Sequence, residues 1–266
     1  MKTQKTASAK ILFSYLVIPV ALAIAILVFK FVMGNPTNFQ GGDPNNHPLP
    51  GNFLGVIYKG GFIVPILMTL LLTVLTFTIE RYITITKAAG KGSITSFVFQ
   101  VKRLLSEGRI NEVYTACDKQ KGSVANVVRA AIEKYEYVES DQGMTKEQKL
   151  LDIQKNIEES TSLELPSLEQ NLVILSTISS VATLMGLLGT VVGMIRAFAA
   201  MANAGSPDSM ALATGISEAL INTAFGIGTA AIAVIMYNFF TTKIDKLTYS
   251  IDEAGYSIVQ TYASRH

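Results

Sequence analysis

Charge, cysteine and histidine are all scarce in this sequence, and each scarcity removes a class of function. Only 16% of the 266 residues are charged and they nearly cancel, to a net +2, which excludes a strongly basic nucleic-acid binder; no nucleic-acid partner is expected. The lone cysteine, Cys117, excludes an intramolecular disulfide and reads as a small buried apolar residue in a helical pattern. His47 and His266 stand far apart and offer no metal-ligand spacing, so neither a metal nor a cofactor is implied. Catalytic signatures are missing too. Gly90-Lys91-Gly92-Ser93 lacks the upstream glycine of a phosphate-binding loop, and neither H-E-x-x-H nor G-x-S-x-G occurs; the reading is of a protein that is not an enzyme, with no catalytic residues.

What the chain has instead is apolar length. Hydrophobic residues make up 49% of it and its mean hydropathy is +0.37, which points to a membrane protein. Behind the basic N-terminus of residues 1–10 (Lys2, Lys5, Lys10), an apolar segment at 11–33 is long enough to span and is followed by no A-x-A-like cleavage site; it reads as an uncleaved first helix. A loop rich in Gly, Pro and Asn follows at 34–60, expected to be irregular or to hold short helices. A second span is read at 61–84, closing on Glu80-Arg81-Tyr82, a cluster that suits the headgroup zone as an interfacial anchor.

Residues 85–170 change character and predict a charged helical domain. Ser106-Glu-Gly108 marks a turn, residues 111–119 a short helix, and Gly122-Ser123 the start of another carrying Val127, Val128, Ala131 and Ile132. Thr145 opens a third amphipathic helix with Leu150, Ile153 and Ile157 on one side, and Pro166 is placed to bend it. The third span is read at 171–201, a short connection at 202–210, and the fourth span at 211–240; so short a link makes the last two helices antiparallel neighbours. The tail, 241–266, with Lys243, Asp245 and Lys246, reads as a membrane-hugging helix. The fold class is therefore all-α, a polytopic membrane protein with four transmembrane helices.

Twelve basic residues lie between 85 and 170, three before residue 11 and three after 240, against one (Lys59) at 34–60 and none at 202–210. The positive-inside rule then places both termini and the helical domain in the cytoplasm, and the loops at 34–60 and 202–210 on the other side.

The last two spans share one design. With Thr190 as reference at about 100° per residue, Ser179, Ala182, Thr183, Gly186, Gly189, Gly193 and Ala197 fall on one face, and Leu184, Leu187, Leu188, Val191, Ile195 and Phe198 on the other. Around Thr223 the small side comprises Gly215, Ala219, Asn222, Gly226, Thr229, Ala230 and Ala233. Such faces let helix backbones approach; the alternative is a polar pore or partner surface. At about 1.5 Å per residue, Thr190 lies roughly 15 Å and Thr223 roughly 18 Å from the connection, so the two hydroxyls share a layer near mid-membrane. Glu218 lies about 10 Å from the same end. An ionisable group at that depth is a candidate functional site, with a structural interhelical role as the alternative. Arg196 either pairs with it or snorkels to the surface. No carboxylate lies at the threonine layer, so an ion path there would need an acid from a second protein.

Leu188-Gly-Thr190-Val-Val-Gly193-Met-Ile, preceded by Gly186-Leu, and Gly215-Ile-Ser-Glu218-Ala-Leu-Ile-Asn-Thr223-Ala-Phe-Gly226, ending in Tyr237-Asn238, resemble the third- and fourth-helix signatures of the MotA/TolQ/ExbB proton channel family. The resemblance covers roughly residues 61–245 and is closest to the ExbB and TolQ branches. It implies a homopentamer in the inner membrane of a Gram-negative-type bacterium, around a dimer of single-span ExbD- or TolR-like subunits whose aspartate carries the proton, with energy passed to a TonB-like protein. It also implies a pore-lining, proton-pathway role for Thr190, Thr223 and Glu218, with Gly186, Gly189, Gly193, Ala219, Asn222, Gly226 and Ala230 on the packing or pore face. The extra first helix departs from the three-span ExbB pattern. A Tol-Pal, gliding or flagellar-type stator, or a non-conducting scaffold, is the competing expectation.

Overall fold

A computed structural model describes the backbone of residues 2–203 and 209–265, and the side chains of 15–199, 201, 202 and 212–265. Most of the connection read at 202–210, the side chains of Lys2, Lys5 and Lys10, and His266 lie outside the described residues. The protein is all-α, with no strand among the described residues, and four of its helical stretches are long and apolar enough to cross a membrane. The chain divides into two compact units, Met1–Ile79 with Val173–Tyr237, and Glu80–Leu172 with Asn238–His266.

In the first unit, α1 (Lys2–Leu27) runs on into a π-helical stretch, Val28–Met33. It ends at Gly34, where a side chain has no room: a Cβ would lie 2.7 Å from the Lys30 carbonyl oxygen. The loop at 34–60 is more ordered than its composition implies, because asparagine side chains supply the hydrogen bonds that regular structure would. Asn38 Nδ2 donates to Val32 O at 2.8 Å and Met33 O at 2.9 Å, satisfying carbonyls left open by the helix end, and Asn38 Oδ1 accepts from Asn52 Nδ2 at 3.0 Å. Asn52 in turn caps the short helix α2 (Phe53–Tyr58) by accepting the Gly55 N–H. Phe29 stacks on the Tyr58 ring, and buried Phe39 meets the same ring edge-on. Lys59 Nζ, donating to Pro44 O and Asn45 O at 2.9 Å each, ties the loop to the start of α3 (Ile63–Ala89).

The second unit is the helical domain. It holds the end of α3, then α4 (Ile94–Ser106), α5 (Ile110–Gln120), α6 (Gly122–Ser140) and α7 (Lys146–Glu169). Thr145 forms a capping box with Gln148, so α7 starts where its sequence specifies. Gly90-Lys91-Gly92-Ser93 is a turn and helix start: both glycines take positive φ and Ser93 caps α4. Gly90 lies against the Lys121 backbone too closely for any side chain. Cys117 is buried, and burial pushes its thiol up to about 11, which leaves little thiolate at neutral pH.

Two expectations change here. The tail is not a separate membrane-hugging helix: α9 is one helix of 57 residues, Ser209–Arg265, that passes from the first unit into the second without a break. Its apolar stripe of Ile244, Leu247, Ile251, Ala254, Ile258 and Tyr262 is buried in the core of the second unit, with Tyr262 edge-on to Tyr135 at 4.8 Å, so protein rather than a bilayer surface covers it. Pro166 lies inside α7, which runs on to Glu169, and Asn171, with φ +67°, separates α7 from α8 (Leu172–Asn203). Secondly, Glu80-Arg81-Tyr82 is divided in role. Tyr82 is exposed, with Lys243 Nζ 5.5 Å from its ring centre, whereas Arg81 is 1% exposed and donates to the carbonyls that end α7, as described in the Discussion.

Candidate functional site

The site is the pairing of α8 with the first half of α9. Residues of α8 and α9 meet in antiparallel order, and at Gly186, Gly189, Gly193 and Gly215 the helices meet on a glycine. A Cβ on Gly193 would lie 2.9 Å from Ala219 Cβ, and one on Gly215 would lie 2.7 Å from Ala197 Cβ. Gly189 accommodates the side chain of Asn222, and Gly186 faces Gly226. The small face of α8 is thus packed against α9 of the same chain. The large residues of α8, among them Leu184, Leu187, Val191, Ile195 and Phe198, are exposed on the other side. In a membrane, helix backbones with such small faces associate by close van der Waals contact.

The tightest approach to backbone atoms is at Gly226, where an added Cβ would lie 2.5 Å from the Ala182 carbonyl oxygen and 2.8 Å from Gly186 Cα, neither of which can swing away. Gly226→Ala is expected to destabilise the protein by about 1–3 kcal/mol through overpacking. Gly228, two residues on, has nothing within 4 Å of an added Cβ, so Gly228→Ala should be neutral or slightly stabilising. Thermal melts in detergent micelles compare the two; equal melting temperatures would refute the packing argument.

Thr190 and Thr223 meet across this interface, hydroxyl to hydroxyl. Both hydroxyls also reach the Gly186 carbonyl oxygen, from Thr190 at 3.3 Å and from Thr223 at 3.2 Å. Each hydroxyl has one proton and two lone pairs, so two protons serve three close contacts and two of the three are donated at a time. Both threonines are half-buried, as is Ala230, whereas Ala219, Asn222 and Gly226 are buried. Asn222 faces away from the hydroxyl layer: its Nδ2 donates to Gly60 O at 2.9 Å, and its Oδ1 has no hydrogen-bond partner among the described residues.

Five residues before Thr223 on α9, Glu218 is paired with Arg196 of α8, Nη1 to Oε1 at 2.7 Å. Arg196 therefore pairs rather than only snorkels, and it lies over the Phe62 ring, 5.7 Å from its centre. Sequence reading missed the residues that meet this pair. They are Gly61 and Phe62 at the entry to α3, with Gly60 beside them meeting Asn222, and the available signal was a double glycine just ahead of an apolar run.

Residues 119–253, just over half of the chain, match the MotA/TolQ/ExbB proton channel family. The chain belongs to that family. The matched span contains Thr190, Glu218 and Thr223. Among curated relatives, the Tol-Pal system protein TolQ of Haemophilus influenzae is 39% identical over 84 residues, covering 32% of this chain and 37% of that protein. TolQ of Pseudomonas aeruginosa is 31% identical over 124 residues, 47% of this chain and 54% of its own length. The biopolymer transport protein ExbB of Pseudomonas putida is 35% identical over 86 residues, 32% and 26% of the two chains. The similarity thus spans about a quarter to a half of these relatives, and it joins the family without separating its TolQ and ExbB members. This family member is a membrane protein built on several apolar helices.

Proposed function

We propose that this chain is the channel-forming subunit of a proton-driven stator of the ExbB type. Five copies surround a dimer of single-span ExbD- or TolR-like subunits in the inner membrane, with both termini and the helical domain in the cytoplasm, as the distribution of basic residues favours. The observation that carries the reading is the Thr190–Thr223 hydroxyl pair, set among apolar and small residues within the α8–α9 interface of a proton channel family member. Hydroxyls relay or solvate a proton but do not store one at neutral pH, so the acid that loads and unloads belongs to the partner, as an aspartate in its membrane helix. Proton transfer past the threonine layer neutralises that aspartate and lets the partner turn within the ring. Work then passes to a TonB-like protein and on to transport across the outer membrane.

The TolQ relatives, one of them the most identical of the three compared, favour a second reading in which the same motor serves the Tol-Pal system. The motor itself is tested by reconstituting the chain with its co-expressed partner in liposomes under a potassium diffusion potential. Proton uptake well above that of empty vesicles is expected, and uptake indistinguishable from theirs would leave a non-conducting scaffold. Complementation then separates the branches: restored receptor-dependent uptake indicates the ExbB role, restored outer-membrane integrity the TolQ role.

A further inference from the structure

We infer that the Arg196–Glu218 ion pair is a latch, seated on the Lys59–Phe62 turn, that fixes the α8–α9 hairpin to the start of α3 and is not itself a step in the proton route. The geometry is that of a built seat. Gly61 has φ +74°, which favours glycine, and a Cβ there would lie 2.5 Å from Glu218 Oε1 and 3.2 Å from Arg196 Nη1, so its bare backbone lies against both members of the pair. The neighbouring residues close the arrangement: Asn222, one turn along α9 from Glu218, holds Gly60 O at 2.9 Å, and Arg196 lies over the Phe62 ring. Lys59, held by two loop carbonyls, is close enough for its charge to interact with that of Glu218. Two successive turns of α9 thus grip two successive glycines.

The chemistry separates a latch from a carrier. The Glu218 side chain is 12% exposed and the Arg196 side chain 50%, so the carboxylate is enclosed while the guanidinium keeps contact with its surroundings. A carrier must release its partner and take up a proton on every cycle. Here that would leave a guanidinium without its counter-charge against Gly61 and Phe62, and would loosen the attachment of α3 each time. A charge-assisted bond of this length is among the stronger ones a protein makes, and here both of its members also lie against the Gly61 backbone. Glu218 is then a positioning residue for the Thr190–Thr223 layer five residues away.

The inference rests on the proton-channel reading for its consequence but not for its test, because stability and flux are measured separately. Arg196→Glu, Glu218→Arg and the double exchange are purified with the co-expressed partner. Each single variant should lower the melting temperature and reduce liposome proton flux at least tenfold, and the exchange should restore much of both. Gly61→Ala, which removes no ionisable group but places a methyl against the pair, should reproduce the single-variant losses. Should the exchange fail to fold against Gly61, Glu218→Gln decides: a latch loses melting temperature and flux together, in the proportion that Gly61→Ala loses them, whereas a carrier abolishes flux in a complex that melts normally. The inference is overturned by that second outcome, or by melting temperatures of the single variants that add with no coupling. A wild-type complex without flux would refute the channel reading alone, and the coupling in melting temperature would still decide the latch.

Discussion

Replacing Arg81 with methionine is expected to lower the stability of the folded protein by about 3–5 kcal/mol, a larger loss than any other single substitution considered above. The side chain is 1% exposed and every part of its fork is engaged. Nε donates to Glu80 Oε2 at 2.6 Å, Nη2 to Glu80 Oε1 at 2.5 Å, and Nη1 to Leu168 O at 3.2 Å and Ser167 O at 3.5 Å. Leu168 and Ser167 lie in the last turn of α7, whose final carbonyls have no partners within the helix and carry the negative end of its dipole. One guanidinium therefore neutralises Glu80 and caps α7. Methionine keeps the approximate volume and removes all five donors, leaving an enclosed carboxylate and bare carbonyls. Glu80 is 20% exposed and also accepts from Thr84 at 3.0 Å, which puts the expected loss at the lower end of the range. For a chain of this size the loss lowers the melting temperature by roughly 10 °C. Arg81→Met with Glu80→Leu should recover part of it, since removing both charges is far less costly than removing one. A shift below about 2 °C for Arg81→Met in a detergent melt would refute the account.

Arg81 also marks where sequence reading ran out. The four apolar stretches are visible because spanning a bilayer requires long uninterrupted apolar runs, a local property. The helices of the domain are visible for a similar reason: Thr145 with Gln148, and Gly122 ahead of Val127, Val128 and Ala131, are signals within a few residues of one another. α4 carries such a signal in Ser93 and in Phe97, Val98, Val101, Leu104 and Leu105, but no expectation named it. Arg81 could not be placed this way, because its carbonyl partners are 86 and 87 residues away. A charged residue at the end of a span satisfies the local rule for an interfacial anchor, and only the fold distinguishes an anchor from a cap. The tail misled for the same reason, since an amphipathic helix has one apolar stripe whether lipid or protein covers it. At the site, the small faces of α8 and α9 could be read from period alone. What fills them could not: Gly186, Gly189 and Gly193 admit any close-packing backbone, and the chain's own α9 occupies them. Asn222 belongs to the right face, but its bond to Gly60 spans 162 residues, beyond the reach of any periodic pattern.

Exchanging Thr190 and Thr223 together for valine should reduce proton flux in the reconstituted complex to background while leaving the fold in place. The two hydroxyls touch each other across the helix pair and both lie within reach of the Gly186 carbonyl, so each single exchange leaves one donor able to reach that oxygen. A single variant should accordingly keep part of its flux, and the double variant should keep none. Stability responds differently. Valine matches the shape of threonine, and replacing both partners of a hydrogen bond by apolar groups of the same shape is close to neutral, so a change within about 1 kcal/mol is expected. The Gly186 carbonyl retains its place in the α8 helix ladder and is not orphaned by the loss of hydroxyl donors. Serine at both positions restores the hydroxyls without the methyls and should restore flux, which separates chemistry from shape. Full flux in the double valine variant would exclude this layer from the proton route. Lost flux with an unchanged melting temperature, recovered by serine, would assign the route to the two hydroxyls themselves, since no charge changes in either variant and flux then follows the hydroxyls and not the methyls.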